Sequence, residues 1–511
     1  MIQRNFFLLC RIFAYAAGTF SAATDEITWF IRPAHDTPYH RMIRLKDDLE
    51  CELRHHNHRF RDGACVKVDR RALTAVEGRY YEVNVNIFNE IEIEGDKISS
   101  ENCRASDPNC VQDKKRVVSI QVADDAQILQ FELDNGVTDD ITDNMSWFGT
   151  EVVRNDIIAG TNDNLAGTAN IVKSRDGFVS GNVNSLQDDV VYTITSRRNG
   201  NSIVSHVELI PQEHYPPGER HLRAPSKQMM QPAERKIVPI RRKKRKTDSN
   251  GRIDARRKLQ RKKRKIQETC PENTIDIMVV YTRLAMCADA LQDYPCEYNE
   301  HFRTIESRID LAIAQANQAY EKSGISTRLR CVKKMLVNYD EREEWTTILG
   351  EMYSNQFPQK FYTNRNKFGA DIVHMIMKKS DFCGYGYTGV GKHDAYSVSN
   401  YKCSTGMYTL VHEVAHNMGC EHNLENASPF PLSQYSFGYQ DSRKKFRSIM
   451  AYNCKSASCK RVQMFSTPDL KYEGRVIGSA TANNALQIQR YTKQMSGFRV
   501  CAELKNKNRN I

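Results

Sequence analysis

Residues 412–422 read HEVAHNMGCEH. Residues i and i+4 of a helix share one face, so His412 and His416 can both reach one metal ion. Glu413 lies one position past the first histidine, where its carboxylate can reach a bound water without being a ligand. We therefore expect a metal site on this helix, with Glu413 as its general base.

The residues after the two histidines complete the pattern. Gly419 can adopt a positive φ and end the helix, so that the chain turns and brings back His422 as a third nitrogen ligand. Three imidazoles leave a fourth position open for water, which is typical of a catalytic zinc site and not of a closed structural site. The sequence thus predicts one catalytic Zn²⁺, whereas calcium is possible but cannot be inferred.

A second motif follows at residues 448–452, which read SIMAY. It has the form of a Met-turn, in which a methionine lies beneath the metal. Met450 on its own would be read as ordinary core packing, and the zinc motif is what favours the turn. Tyr452 could ligate zinc or stabilise an oxyanion, although a packed aromatic ring below the site is the alternative.

Together these motifs resemble those of the metzincin clan, and most closely its reprolysin/adamalysin group of snake-venom metalloproteases and ADAM proteases. Three features carry the closer match: Asn417 directly after the second histidine, the strand IDIMVVYT at 275–282, and a Cys-Gly pair at 383–384. The resemblance covers about residues 270–500. It implies an α/β metzincin-like catalytic domain, with a mixed twisted sheet, an active-site helix and a Met-turn.

The resemblance further implies a zinc metalloendopeptidase that hydrolyses internal peptide bonds of extracellular proteins. The stretch from Gly384 to Gly391 lies where these folds carry a substrate-facing edge strand, and its alternative is a flexible loop. The chain departs from the reprolysin pattern at Asn423, where aspartate is usual. Tyr452 has the spacing of the metal-proximal tyrosine of astacins and serralysins. No disintegrin-like domain follows Cys501, so we expect no membrane-anchored ADAM architecture.

The net charge of +12 comes from one segment. Residues 235–265 hold 17 Lys and Arg against two Asp, a net of +15, which leaves the rest of the chain at −3. The runs RRKKRK at 241–246 and RKKRK at 261–265 suit cleavage by a proprotein convertase. Heparin binding, nucleic-acid binding and a solvated tether are alternatives. We favour processing and expect no nucleic-acid partner.

The N-terminus indicates secretion. Arg4 precedes an apolar run, Phe6 to Phe20, and Ser21 begins a small-residue cleavage site, although Arg11 interrupts the run. We therefore expect a soluble, extracellular zymogen without a transmembrane anchor, with five segments: a signal peptide at 1–23, a β-rich prodomain at 24–215, a basic linker at 216–265, a catalytic domain at 266–501 and a polar tail at 502–511.

Cysteine parity supports an oxidising compartment. Apart from Cys10, the chain has four cysteines before the basic segment and ten after it, which fits two separately disulfide-bonded domains. Asn144 and Asn426 match the glycosylation acceptor pattern. Latency could come from a propeptide ligand to the metal, and the candidates are Cys51, Cys65, Cys103, Cys110, His55, His56 and His58. We expect occlusion of the cleft instead.

Hydrophobic periodicity supplies the framework around the motif. It predicts strands at Thr274–Tyr281, Thr327–Val337 and Asp371–Met377, a long helix over Glu297–Lys322, and short strands such as Tyr81–Val85 in the N-terminal region. Two rival functions remain open: a catalytically inactive metalloprotease-like binding protein, and a secreted heparin-binding protein that uses the basic linker. The intact catalytic residues argue against the first rival, and removal of the linker on maturation argues against the second.

Overall fold

The computed structural model describes strand segments between residues 27 and 138, and thereafter residues 144–151, 167–186, 190–199, 202–211, 215–216, 218–223, 271–292, 294–354, 356–357, 359–455 and 459–501. The predicted signal peptide, residues 224–265 of the basic linker and the polar tail at 502–511 lie outside the described residues, as do the side chains of all the cysteine and histidine latency candidates.

The N-terminal part contributes an eleven-stranded sheet and a separate hairpin. Its strands are β1 (Ile27–Trp29), β2 (Ile31–Arg32), β3 (His58–Arg61), β4 (Ala64–Lys67), β5 (Tyr81–Val83), β6 (Arg116–Gln121), β7 (Ile128–Leu133), β8 (Val137–Thr138), β9 (Met145–Glu151), β10 (Thr168–Lys173), β11 (Val179–Ser185), β12 (Val190–Asn199) and β13 (Ser202–Pro211). From β9 to β13 each strand pairs antiparallel with the next, as a meander.

The C-terminal part mixes strands and helices. The strands are β14 (Arg220–Arg223), β15 (Thr274–Thr282), β16 (Arg328–Val337), β17 (Ile372–Met377), β18 (Gly384–Thr388), β19 (Tyr396–Asn400), β20 (Phe446–Arg447), β21 (Lys460–Arg461), β22 (Thr467–Tyr472) and β23 (Arg475–Ile477). The helices are α1 (Arg283–Asp289), α2 (Tyr298–Lys322), α3 (Trp345–Tyr353), α4 (Gln359–Phe368), α5 (Tyr401–Gly406), α6 (Thr409–Asn417) and α7 (Asn484–Met495), with a 3-10 turn at Leu424–Asn426.

The main sheet of this part has the order β14-β18-β19-β17-β15-β16. Strand β15 lies inside this sheet and is buried on both faces. Its apolar, β-branched sequence is typical of a parallel strand covered by helices. Strand β18 alone runs antiparallel to its neighbour β19. The strands predicted at Thr274–Tyr281, Thr327–Val337 and Asp371–Met377 are all confirmed, within one residue at each end.

Helix α2 joins the two parts. It confirms the helix predicted over Glu297–Lys322, and its apolar stripe, which includes Ile305 and Ile309, is fully buried in the core. Strands β10, β11 and β12 pack against the same helix. Hydrogen bonds cross this interface: Ser180 Oγ donates to Ser307 Oγ at 2.9 Å, and Gln315 Nε2 donates to Asn182 Oδ1 at 3.3 Å.

The first residues of the predicted linker form part of the fold. Strand β14 pairs in parallel with β18, with Arg220 opposite Tyr385 and Arg223 opposite Thr388. The expectation of a linker from residue 216 is therefore wrong at its start. The prolines and charges of this segment gave no indication of a strand. Strand addition uses backbone hydrogen bonds, so it places little demand on side-chain composition.

Disulfides stabilise the loops of the C-terminal part. Cys287 bonds Cys296, Cys383 bonds Cys403, and Cys454 bonds Cys459, and Cys501 is also disulfide-bonded. The thiols of Cys331 and Cys420 are not in disulfides. The even number of cysteines after the basic segment therefore does not mean that every one of them is in a disulfide, because a free cysteine can also pack as a small apolar side chain. Within the described residues, no helix is long and apolar enough to cross a membrane.

Candidate active site

The three predicted histidines come together at the C-terminal end of α6. His412 and His416 lie one turn apart on one helix face, and Gly419, with φ of +88°, turns the chain so that His422 returns to them. All three side chains are almost completely buried. A side chain at position 419 would also collide with Leu432, since a Cβ there would lie 2.4 Å from that residue's Cδ2.

The Nε2 atoms of the three rings form a nearly equilateral triangle. The distances are 3.1 Å between His412 and His416, 3.2 Å between His412 and His422, and 3.1 Å between His416 and His422. Three nitrogens that each lie about 2.0–2.1 Å from a tetrahedral zinc would be roughly 3.3 Å apart. The triangle therefore matches the size of three corners of a zinc coordination sphere.

The hydrogen bonds of the same rings show that these nitrogens need a cation. His412 Nδ1 donates to the carbonyl oxygen of Ile449 at 2.9 Å, and His416 Nδ1 donates to that of Cys420 at 2.8 Å. Burial lowers the pKa of His412 to about 4 and the pKa of His416 well below its usual range, so both rings are neutral. Their Nε2 atoms then face each other as lone pairs, an arrangement that a metal ion stabilises.

Glu413 follows His412 on α6, and its carboxylate lies against Gly384 and Gly386 of β18. It is fully buried, and neither carboxylate oxygen has a hydrogen-bond partner among the described residues. Burial raises the pKa of this carboxyl well above its usual range. Gly384 and Gly386 of β18 leave room for it, since Cβ atoms at these positions would lie 2.5 and 2.6 Å from its two oxygens. Burial thus favours the protonated form of this carboxyl.

The predicted Met-turn lies where the motif placed it. Met450 is completely buried within the same core cluster as residues of α6. The residue before it, Ile449, accepts the hydrogen bond from His412, so the turn orients the first histidine. Tyr452 packs its ring against His422, with centroids 3.9 Å apart. Its hydroxyl donates to the backbone carbonyl of Glu219.

Two asparagines beside the histidines support the site. Asn417 donates from Nδ2 to the carbonyl oxygens of Tyr387 at 2.7 Å and Tyr396 at 3.1 Å, which ties α6 to the sheet. Asn423, the departure from the reprolysin pattern, accepts a hydrogen bond from the backbone of Tyr452 at 3.2 Å. An amide oxygen serves here as an acceptor, the same role that a carboxylate oxygen could fill.

Residues 218–223 also enter the site, which the sequence did not predict. His221 stacks on His416 with centroids 4.3 Å apart, lies 4.7 Å from the ring of His422, and forms a 3.0 Å contact from Nε2 to the carboxylate of Glu421. Glu219 is buried and ion-paired with Arg461. No spacing pattern marks a lone glutamate and histidine beside a Pro-Pro pair, so the sequence held no signal for them.

The remaining candidates fall outside the site. Asn144 is 7 % exposed, and its burial disfavours the predicted glycosylation, because the acceptor nitrogen must be accessible. Asn426 is half-buried in the 3-10 turn and donates from Nδ2 to Asn423 at 3.1 Å. Cys383, cited with Gly384 for the resemblance, forms a disulfide with Cys403 at the end of the cleft strand β18.

Comparison with known proteins agrees with this geometry. Residues 306–423 match the reprolysin-like metallopeptidase family M12B. Among curated proteins, the chain is 29 % identical over 234 residues to a peptidyl-Asp metalloendopeptidase of Stenotrophomonas maltophilia, covering 44 % of this chain and 53 % of that protein. It is also 29 % identical over 234 residues to one of Xanthomonas campestris, covering 44 % of this chain and 52 % of that protein. The chain thus spans about half the length of these relatives.

Among solved structures, metalloproteinase-II from Bacteroides fragilis aligns with a TM-score of 0.34 at 10 % identity, over 74 % of this chain and 91 % of that one. A score this low does not establish a shared overall fold. The family match over residues 306–423, the curated relatives and the mixed α/β architecture support a metzincin-like metalloprotease catalytic domain in the C-terminal part. This family relationship also implies a catalytic metal, and the three histidines fit one.

Proposed function

We propose that the chain is a secreted zinc metalloendopeptidase, made as a zymogen, in which His412, His416 and His422 hold the metal and Glu413 is the general base. The observation that carries the proposal is the convergence of three Nε2 atoms, two of them from the helix that also carries a buried carboxylate without a hydrogen-bond partner among the described residues. Three nitrogen ligands with an adjacent carboxylate suit hydrolysis, whereas a structural zinc site would be closed by a fourth protein ligand.

Bound zinc would polarise a peptide carbonyl and lower the pKa of its water to about 7. Glu413 would accept the proton of the attacking water at one carboxylate oxygen and then pass it to the leaving amine. Burial suits this second step, because it raises the pKa of the carboxyl and so favours the protonated intermediate state of Glu413. Tyr452 is placed to help a developing oxyanion once its hydroxyl is released from Glu219.

The substrate would bind as an extended strand along β18. Without β14, β18 would be the outermost strand on its side of the catalytic sheet. Its outer backbone groups could then pair with a peptide. Strand β14 occupies this edge from Arg220 to Arg223 and supports its capacity to accept a strand. Because the relatives bear the name peptidyl-Asp metalloendopeptidase, we include in the proposal a preference for bonds beside an acidic residue.

Latency would come from residues 218–223. They fill the substrate edge with β14, cover the histidines with His221 and engage Tyr452 through Glu219. This is inhibition by occlusion, as expected from the sequence, and it uses a segment that lies before the basic runs. Cleavage of those runs by a proprotein convertase would break the covalent link. The polar interface between β10–β12 and α2 would then allow release, since polar interfaces dissociate more readily than apolar ones.

The rival proposal of an inactive binding protein predicts no hydrolysis. We would cleave the full-length chain within residues 241–265 and assay casein hydrolysis with and without a chelator. We expect activity that the chelator abolishes, and a loss of about 10²–10⁴-fold in Glu413→Ala. Glu425→Ala, an exposed glutamate near the site, is the matched control and keeps full activity. Full activity in Glu413→Ala would overturn the proposed role of this residue.

A further inference from the structure

We propose that Arg461 and Thr409 form a subsite that binds the acidic side chain of a substrate next to the scissile bond, and that Glu219 occupies this subsite in the latent chain. The inference rests on the proposed peptidase function and names the residues that would determine its specificity. It makes Glu219 a stand-in for the acidic residue of a substrate.

The contacts of Glu219 define the subsite. Arg461 Nη2 donates to Oε2 at 2.8 Å, Nη1 donates to Oε1 at 2.5 Å, and Thr409 Oγ1 donates to Oε1 at 2.9 Å. The carboxylate is thus held by both arms of a guanidinium and by a hydroxyl. This fork geometry recognises a planar carboxylate and discriminates against an amide, which would present an N–H to one of the donors.

Burial of Glu219 and Arg461 makes the proposed subsite selective for a carboxylate. Glu219 is 1 % and Arg461 is 3 % exposed. The strong attraction of the guanidinium holds the pKa of Glu219 well below its usual range despite the opposing effect of burial. No other carboxylate of the described residues forms an ion pair with Arg461. Once Glu219 leaves, the buried cation would lack its partner, and an incoming aspartate or glutamate would restore the pair.

Arg461 is positioned by the catalytic part itself. Its Nη1 also donates to the carbonyl oxygen of Met407 at 2.9 Å, in the loop that leads into α6. This bond does not involve residues 218–223. The guanidinium therefore keeps an anchor after the latent segment is released, and the subsite is largely formed before a substrate arrives.

The subsite adjoins the proposed general base. Thr409 and Glu413 are four positions apart on α6, so their side chains lie on one helix face. Gly384 lies close to both side chains, since a Cβ added at this position would be 2.6 Å from Thr409 Cγ2 and 2.5 Å from Glu413 Oε1. A side chain bound by Thr409 therefore belongs to a residue close to the bond that the water activated by Glu413 would attack.

The test compares two quenched peptides that differ only in one Asp or Asn, with the full-length chain cleaved in its basic segment. We expect Arg461→Gln to lower the Asp-to-Asn ratio of kcat/KM by about 10–100-fold, because a charge-assisted hydrogen-bond pair is lost. Arg461→Lys should lose less, since it keeps the charge but not the fork. Arg490→Gln, an exposed arginine of α7, is the control and keeps the ratio. An unchanged ratio in Arg461→Gln would overturn the proposal.

A second measurement does not depend on activity. In the uncleaved chain, we expect Glu219→Gln and Arg461→Gln each to accelerate amide hydrogen exchange of residues 218–223, and the double variant to add little to either. Additive effects would mean that the two residues act separately and would contradict the shared subsite. If neither peptide is cleaved by any form while exchange is non-additive, the peptidase proposal fails and carboxylate binding by Arg461 stands.

Discussion

His412 Nδ1 donates a 2.9 Å hydrogen bond to the carbonyl oxygen of Ile449, the residue directly before Met450. This bond joins the first half of the metal motif to the Met-turn, 37 residues further along the chain. It fixes the ring of His412 in the tautomer whose Nε2 carries a free lone pair. The buried Met450 belongs to the same turn and to the same core cluster as residues of α6.

Replacement of Met450 tests its packing in this cluster. Met450→Ala leaves a cavity in a fully buried position, so we expect a loss of about 2–5 kcal/mol in the free energy of unfolding. Met450→Leu conserves volume and should cost less than about 1.5 kcal/mol. Denaturant unfolding of the zinc-loaded chain measures both. Equal stability of Met450→Ala and the unsubstituted chain would contradict the packing role.

Gly386 is predicted to be required for catalysis. A Cβ at this position would lie 2.6 Å from Glu413 Oε2, so Gly386→Ala must displace the carboxylate. Because displacement by about 1 Å can cost roughly 10²-fold in rate, we expect kcat/KM to fall by about that factor while zinc content stays unchanged. Gly350→Ala is the control, since no atom lies within 4 Å of its Cβ position, and it should retain activity. Normal activity in Gly386→Ala would argue against this position of Glu413.

His221 is predicted to contribute to latency. Its ring stacks on His416, so His221→Ala should uncover the metal side of the cleft and raise peptide hydrolysis by the uncleaved chain. His393→Ala, an exposed histidine of the catalytic part, should leave the uncleaved chain latent. The initial rates of uncleaved and cleaved forms are compared for each variant. A His221→Ala chain as silent as the unsubstituted chain would exclude His221 from the mechanism of latency.

His374 provides a pH-dependent contribution to stability away from the metal. It lies fully buried between Ser397 Oγ at 2.8 Å and Ser399 Oγ at 2.7 Å, and burial lowers its pKa to about 3. The unfolded chain binds a proton near pH 6.5 and the native chain does not, so this contribution is full above pH 6.5 and is lost as the pH falls. We expect about 1 kcal/mol to be lost between pH 7 and 5.5.

Unfolding experiments at these two pH values measure that loss. His374→Gln cannot be protonated in either state, so its stability should fall with pH by about 1 kcal/mol less than that of the unsubstituted chain. The other histidines contribute equally to both proteins, and the difference isolates His374. The same pH slope in both proteins would show that His374 binds a proton equally in the native and unfolded states.

The parts of the fold that the sequence predicts correctly are those with local signals. Strand β15 is an uninterrupted apolar run, helix α2 repeats its apolar residues at helical spacing, and the HEVAHNMGCEH motif places its histidines by helix geometry and one glycine turn. Each of these patterns is contained in one short stretch of sequence, either a single strand or a few helical turns. Local geometry is sufficient for them because their partners are neighbours in sequence.

The contacts of the latent segment could not be predicted in this way. Glu219 and Arg461 are 242 residues apart, and neither belongs to a spaced motif. Ion pairing and stacking constrain charge and ring type, and both residue types are common in a chain with this composition. Strand pairing by β14 depends on its backbone, which carries no sequence signature. Tyr452 illustrates the same limit: its spacing suggested the metal, whereas its hydroxyl is engaged by Glu219.

We propose that three histidines hold one catalytic zinc. It is tested most directly by stripping the cleaved chain with a chelator and titrating zinc back while following peptide hydrolysis. We expect activity to be lost on stripping, to rise linearly with added zinc and to reach a plateau at about one equivalent, whereas His422→Ala should show no such rise. Undiminished hydrolysis by the metal-free chain, or a normal titration by His422→Ala, would contradict it.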